Sequence, residues 1–396
     1  MSVGQSSEAV ALATELASSF EVGALTRDRD RTFPHDELSQ LKRSGLLSLL
    51  VPKELDGMGA SYGEMIRVVG ALALGDPNVA QMAIVHFSGV ELLNKVAPDT
   101  AKNVLYPRIT QDAQMFTNAY SEIGTNTIFE FNVALEQADR GWSISGSKAY
   151  CTGSLSGELI YGLAIAHEPE PHPRVFVIDT DAPGVRVVDN WDGMGQRTTA
   201  SGTIEFDGAF VSDNLCFTPD LLLHQPLLNF FGTNGQAMMS AIFVGIAKNA
   251  LRDATSYVQT RSRAWPHAGV EKAIDDPYII RTIGEMSTLI ASAEATLERA
   301  IASIERAAAD PTEDARAECS VAVAAAKSVS TSSALRVAEL LFQACGAGAT
   351  RQALGLDRHW RNVRTLTLHD PIEWKLHLSG NYLLSGTLPP ISSHSP

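Results

Sequence analysis

Ten histidines, four cysteines and 45 aspartates and glutamates supply the acid–base, nucleophilic and metal-ligating chemistry open to this 396-residue chain. Their spacing excludes most of it. There is no HExxH. The nearest pattern, His167-Glu-Pro-Glu-Pro-His172, holds two prolines, so it cannot form a helical metal face and reads as an exposed loop between strands. Cys151, Cys216, Cys319 and Cys345 make no CxxC pair, which argues against a zinc ribbon and a thioredoxin-type motif. No metal site is expected. The chain also lacks a GxGxxG after a strand, a GxSxG elbow and a GxxxxGK[ST] loop, so dinucleotide, serine-hydrolase and P-loop chemistry are unsupported.

Two histidines stand out. His86 lies in QMAIVHFSG, on an otherwise apolar helical stretch. It is either a core histidine with satisfied nitrogens or a pocket residue. His369 precedes Asp370-Pro371-Ile372-Glu373, which reads as N-cap, proline at the first helical position and Glu at the third. That capping box would open the helix IEWKLHLSGNYLL, engage the Asp370 carboxylate with backbone N–H groups, and hold His369 at the helix mouth. A histidine there is a general acid or base near neutral pH, or a hydrogen-bond donor to an oxygen.

The elements that must position these residues fall in three regions. Residues 1–113 read as helical: ELSQLKRSGLLSLL and GEMIRVVGALALG carry apolar residues at helical spacing, punctuated by Pro34, Pro52, Gly57, Gly59 and Asp76-Pro77. Residues 114–222 carry short, β-branched, alternating runs such as WSISGSKAYCT, RVFVIDT and TIEFDGAFV, which predict an antiparallel, half-buried β domain. In residues 223–396 the helical period returns. Residues 278–310 lack proline and 312–345 lack both glycine and proline, which predicts long helices packed as a four-helix bundle. The fold class is therefore α+β, in the order helical, β, helical. The tail SSHSP is expected to fray.

Composition limits the partners. Lys plus Arg number 31 against 45 acidic residues, a formal net charge of −14. That argues against nucleic-acid and anionic membrane surfaces, though not against a local phosphate pocket. No apolar run reaches the ~20 residues of a membrane span. The N-terminal stretch has no basic n-region and does not read as a signal peptide. Scattered cysteines fit a reducing cytoplasm.

Five segments, in order, resemble the acyl-CoA dehydrogenase superfamily: Phe33-Pro34 leading into LKRSGLLSLLVPKELDGMGAS, then YSEIGTN, GSKAYCTGS, WDGMGQRTTASGTIEFDGAFV and LFQACGAGATRQALGLDRHWRNVRTLTLHDP. The resemblance implies an N-terminal helical domain, a middle β domain and a C-terminal four-helix bundle. It also implies a flavin between the last two, and a homotetramer in which a neighbour completes the flavin site. Ser121 matches the residue bonded to the flavin pyrimidine, and Thr152 the hydroxyl near flavin N5. Arg263 and Ser201 are candidates for the flavin phosphate, and Trp191 for packing on the ring. Arg351 is a candidate for a partner subunit's flavin phosphate.

One departure decides the expected reaction. The dehydrogenases place a Glu base where this chain has His369. The His-Asp-Pro sequence resembles the superfamily's flavin-dependent monooxygenase branch, whose members oxygenate aromatic thioethers and sulfones. That branch implies reduced FMN from a separate NAD(P)H:flavin reductase, with FAD as the alternative. It implies reaction with O2 through a C4a-hydroperoxide, oxygen transfer to a small organosulfur substrate, and His86 and His369 as catalytic residues. The alternatives are a dehydrogenase using Asp370, an N-oxygenase or aromatic hydroxylase of the same fold, and a non-catalytic binding protein.

Overall fold

A computed structural model describes residues 7–125, 130–167, 169–220 and 224–391. The SSHSP tail lies outside these residues, as does residue 168 of the His167–His172 segment. The first region folds into helices α1 (Glu8–Glu21), α2 (Ala24–Asp30), α3 (His35–Arg43), α4 (Tyr62–Ala73), α5 (Pro77–Val96) and α6 (Asp99–Thr110). Local signals start them. Ser61 and Glu64 form a reciprocal capping box on α4. Asp76 caps α5 by accepting the Asn78 N–H, with Pro77 at the first position.

The middle region is one sheet. Its strands are β1 (Phe116–Ala119), β2 (Ala134–Ala138), β3 (Gly141–Cys151), β4 (Leu159–Ala166), β5 (His172–Asp179), β6 (Val185–Val188), β7 (Gly202–Ser212) and β8 (Cys216–Phe217). The order is β6-β7-β3-β2-β4-β5-β8, with β1 also on β4. Most pairings are antiparallel, as the alternation predicts. β1 and β2 instead run parallel to β4, because a long connection containing β3 returns the chain to the same edge. Alternation along β4 and β5 also buries both faces. Ile160, Phe176 and Ile178 fill the sheet's own core, while Leu159, Tyr161, Val175 and Val177 join the helical core.

The last region contains three long helices, α7 (Phe231–Thr260), α8 (Pro277–Ala309) and α9 (Glu313–Cys345), then α10 (Asp357–Thr367) and α11 (Ile372–Ser385). The two proline-poor stretches are α8 and α9. α11 packs on α9. It buries only Lys375 and leaves Trp374, Leu376, Leu383 and Leu384 exposed. Among the described residues no helix is long and apolar enough to cross a membrane.

Where α4, α5, α7 and α9 meet, Glu91 is buried and accepts a hydrogen bond from Asn234 Nδ2 at 2.9 Å. Burial pushes its carboxyl up to about 7. Arg316, also buried, stacks on the Phe230 ring and donates to the Asn229 carbonyl. All four cysteines are free and buried.

Candidate active site

β3 ends in a kink. A register shift between Lys148 and Cys151, with Tyr150 at φ 56° and Gly153 at φ 81°, turns the chain out of the sheet. Thr152 emerges there, buried, with its hydroxyl 2.8 Å from that of Ser201. Ser201 lies 2.8 Å from the Thr199 hydroxyl, which donates to the Gln196 carbonyl. Trp191 Nε1 donates to the same carbonyl at 2.7 Å. Thr152, Ser201 and Trp191 therefore share one corner.

The loop behind that corner ties all three regions together. Gln196 N–H donates to Asn362 Oδ1 of α10, Thr198 N–H to Asn78 Oδ1 of α5, and Arg197 Nε to the Asp28 carbonyl of α2. A Cβ at Gly195 would sit 2.0 Å from the Arg361 carbonyl, so only glycine permits this approach. Gln196 and Ala200 both take positive φ, 52° and 47°. With Tyr150 they make three non-glycine residues in a sparsely populated conformation around one site, a feature that concentrates at functional sites. The Gln196 carboxamide is buried with neither polar atom paired, and the Thr198 hydroxyl is also unpaired. Buried polar atoms are normally satisfied, so these await a partner. Gln196 and Thr198 lie in GQRTTASG. A glutamine amid threonines carries no distinctive sequence signal.

Ser121 is half-buried beside this corner, and its carbonyl accepts the Ala149 N–H of β3. A buried ion pair holds it. Lys148 Nζ lies 2.7 Å from Glu122 Oε1 and also donates to the Tyr120 carbonyl.

His86 is fully buried on α5. Its Nδ1 accepts the Phe116 N–H at 3.1 Å, which leaves the proton on Nε2, 2.7 Å from the Leu47 carbonyl. Burial lowers its pKa to about 4, so the ring is neutral. Both nitrogens thus join backbone segments, the arrangement of a satisfied core histidine. Met82, one turn earlier, approaches the Thr152–Gly153 turn, while Ile84, Val85 and Phe87 are buried.

The capping box expected at Asp370 is not formed. α11 begins at Ile372, Pro371 occupies the cap position, and no side chain caps the helix. The Asp370 carboxylate turns inward instead. Oδ1 lies 3.5 Å from Lys327 Nζ and 3.4 Å from His369 Nδ1, and Oδ2 lies 3.1 Å from Lys375 Nζ. Two ammonium groups compete better for a carboxylate than backbone N–H groups do. Burial opposes ionisation, yet the His369 contact and the charges of Lys327 and Lys375 hold Asp370 well below the usual carboxylate range. Burial lowers Lys327 to about 8. The His369 ring is exposed. Sequence reading missed Lys327, which sits in an alanine-rich run that reads as plain helix.

Arg263 and Arg351 lie elsewhere, both exposed. Ser262 Oγ donates to the Cys345 carbonyl, and Gly348 approaches the Tyr257 hydroxyl. The two arginine loops therefore share one end of the bundle, at the C-termini of α7 and α9.

Sequence profiles for the acyl-CoA dehydrogenase N-terminal, middle and C-terminal domains match residues 12–112, 119–209 and 237–374. The chain belongs to the acyl-CoA dehydrogenase family. Within it, the chain is 31% identical to dibenzothiophene monooxygenase of Rhodococcus qingshengii, over 96% of this chain and 94% of that protein. It is 28% identical to SfnC of Pseudomonas putida, named as an FMNH2-dependent monooxygenase, over 98% and 97%. The crystal structure of FMN-bound TdsC from Paenibacillus sp. A11-2 superposes with a TM-score of 0.92 at 31% identity, covering 98% of this chain and all of that one.

Proposed function

We propose that the protein is a flavin-dependent monooxygenase that uses reduced FMN and O2 to oxygenate a small organosulfur compound. The observation that carries this reading is the His369–Asp370 pair. Proton abstraction from an acyl thioester needs an available carboxylate base. The position offers an exposed imidazole instead, and the adjacent carboxylate is engaged by two lysines and held far below its usual range. A carboxylate so weakly basic is a poor proton acceptor, which disfavours a dehydrogenase using Asp370.

The residues present fit a flavin. The unpaired carboxamide of Gln196 supplies both donors and an acceptor, and the Thr152–Ser201–Thr199 hydroxyls run to the backbone carbonyl of the same residue. Reduced FMN, when bound, would supply the electrons that activate O2. Thr152, Ser201 and Gln196 would hold the ring, Ser121 its pyrimidine side, and Trp191 would pack against it. His369 would hold or deliver a proton. His86, neutral and buried, would keep the pocket wall dry and in place.

Arg263 and Arg351 would take the phosphate from a second copy, in a homotetramer. The exposed apolar residues of α11 supply a surface for such assembly. The same reading includes a separate NAD(P)H:flavin reductase, a cytoplasmic location, and domain limits of 1–113, 114–222 and 223–396.

The test is a coupled assay with a flavin reductase, NADH, FMN or FAD, and dibenzothiophene or a dialkyl sulfone under 18O2. Labelled, oxygenated product with FMN supports the reading. Absence of oxygenated product, with dye reduction by acyl-CoA thioesters, would overturn it. His369→Ala is expected to lower product per NADH by roughly 100-fold while hydrogen peroxide accumulates. Normal product yield would remove His369 from the mechanism.

A further inference from the structure

Lys327 is a fully buried ammonium in the middle of α9. Its immediate partners are a thioether, an aromatic ring and one carboxylate, and the charge of Lys375 also acts on it. Met239 Sδ lies 3.4 Å from Nζ, the Phe243 ring centroid 5.1 Å away, and Asp370 Oδ1 3.5 Å away. Among the described residues Asp370 is its only carboxylate within ion-pair distance. Burying an ammonium is costly, and an apolar side chain of similar length would pack α9 against α11 without that cost. The charge therefore acts on Asp370.

Asp370 in turn has few degrees of freedom. Lys375 Nζ lies 3.1 Å from Oδ2 as an ion pair without hydrogen-bond geometry, and Lys327 Nζ lies 3.5 Å from Oδ1. Oδ1 is also the atom that faces His369 Nδ1. An ionised carboxylate only accepts hydrogen bonds, so the nitrogen facing it is the one that carries the proton. Nε2 is left with its lone pair on the open side of the ring.

We propose that Lys327 and Asp370 are positioning residues that fix the ring orientation of His369 and place its proton on Nδ1. The proposal deepens the reading of His369 given above and rests on it for relevance to turnover. The groups facing His369 and Asp370 in this arrangement are Lys327 of α9 and Lys375 of α11, with no other charged partner within ion-pair distance among the described residues.

The experiment is nitrogen NMR of 15N-histidine-labelled protein without flavin, at pH 8, with His369→Gln used for assignment. The wild type is expected to show one His369 tautomer, protonated on Nδ1. Lys327→Met keeps the length and removes the charge. Asp370→Asn keeps the side-chain size and removes the carboxylate charge from the other side of the pair, which gives a second, independent variant. Both are expected to give a tautomer mixture and, with FMN and the reductase, at least a tenfold fall in product per NADH. A mixture in the wild type, or an unchanged Nδ1–H tautomer in the folded variants, would overturn the proposal whatever the activity. A lost tautomer preference with unchanged coupling would support the positioning and overturn the catalytic reading of His369.

Discussion

The hydroxyl of Thr152, at the kinked end of β3, lies 2.8 Å from that of Ser201, at the start of β7. Ser201 keeps a second partner in Thr199. Thr152→Val preserves shape and leaves Ser201 bonded, so the expected stability loss is about 1 kcal/mol. If Thr152 contacts the cofactor, reduced FMN should bind roughly fivefold to tenfold more weakly in an anaerobic fluorescence titration. An unchanged dissociation constant would remove Thr152 from the cofactor site.

His86 is placed to stabilise rather than to turn over. His86→Phe leaves the Phe116 N–H and the Leu47 carbonyl unpaired, at about 1–3 kcal/mol for each buried group. The folded pKa of about 4 lies below the unfolded value, so the unfolded chain binds more protons. The stabilisation is complete above pH ~6.5 and is lost as pH falls toward 4. Denaturant titrations should show that pH dependence weaken in the variant. A stability matching the wild type, with activity abolished, would return His86 to the catalytic group.

Glu91 predicts the opposite slope. Its folded pKa of about 7 lies above the unfolded value near 4.3. The stability it contributes is present below pH ~4.3 and is lost as pH rises through 7. Glu91→Gln keeps an acceptor for Asn234 Nδ2. The variant should therefore gain up to about 3 kcal/mol over the wild type between pH 4.5 and 7.5. A difference independent of pH would mean that Glu91 is not forced toward neutrality.

Leu384 is 91% exposed at the end of α11, beside exposed Leu383. Leu384→Glu should alter the fold of one chain by less than about 0.5 kcal/mol. In light scattering it should shift the proposed tetramer to smaller species and weaken FMN binding with them. A tetramer that persists would place the interface on another surface.

The contrast between three Asp-Pro pairs shows what the sequence could reveal. Asp76-Pro77 and Asp276-Pro277 start α5 and α8 as local pattern predicts, Asp76 accepting one backbone N–H of its helix and Asp276 two. Asp370-Pro371 has the same pattern and does not cap, because Lys327 reaches it from another helix. Local rules locate elements well, so the helical–β–helical order and the long α8 and α9 were legible. They do not register tertiary competitors. The same limit hid the Gln196 loop, whose anchors Asn78, Asn362 and Asp28 come from three distant helices. Thr152, Ser201 and Trp191 stand at positions that family motifs mark, and the structure groups them in one corner.

The four buried cysteines have a consequence for durability. Burial raises every thiol, with Cys151 and Cys345 pushed to about 12, Cys319 to about 11, and Cys216 also raised. Peroxides attack the thiolate, not the thiol. An oxygenase that releases hydrogen peroxide in failed cycles would bathe itself in oxidant. Burial keeps these four sulfurs away from the oxidant and in the less reactive thiol form while the fold is intact, and unfolding would expose them.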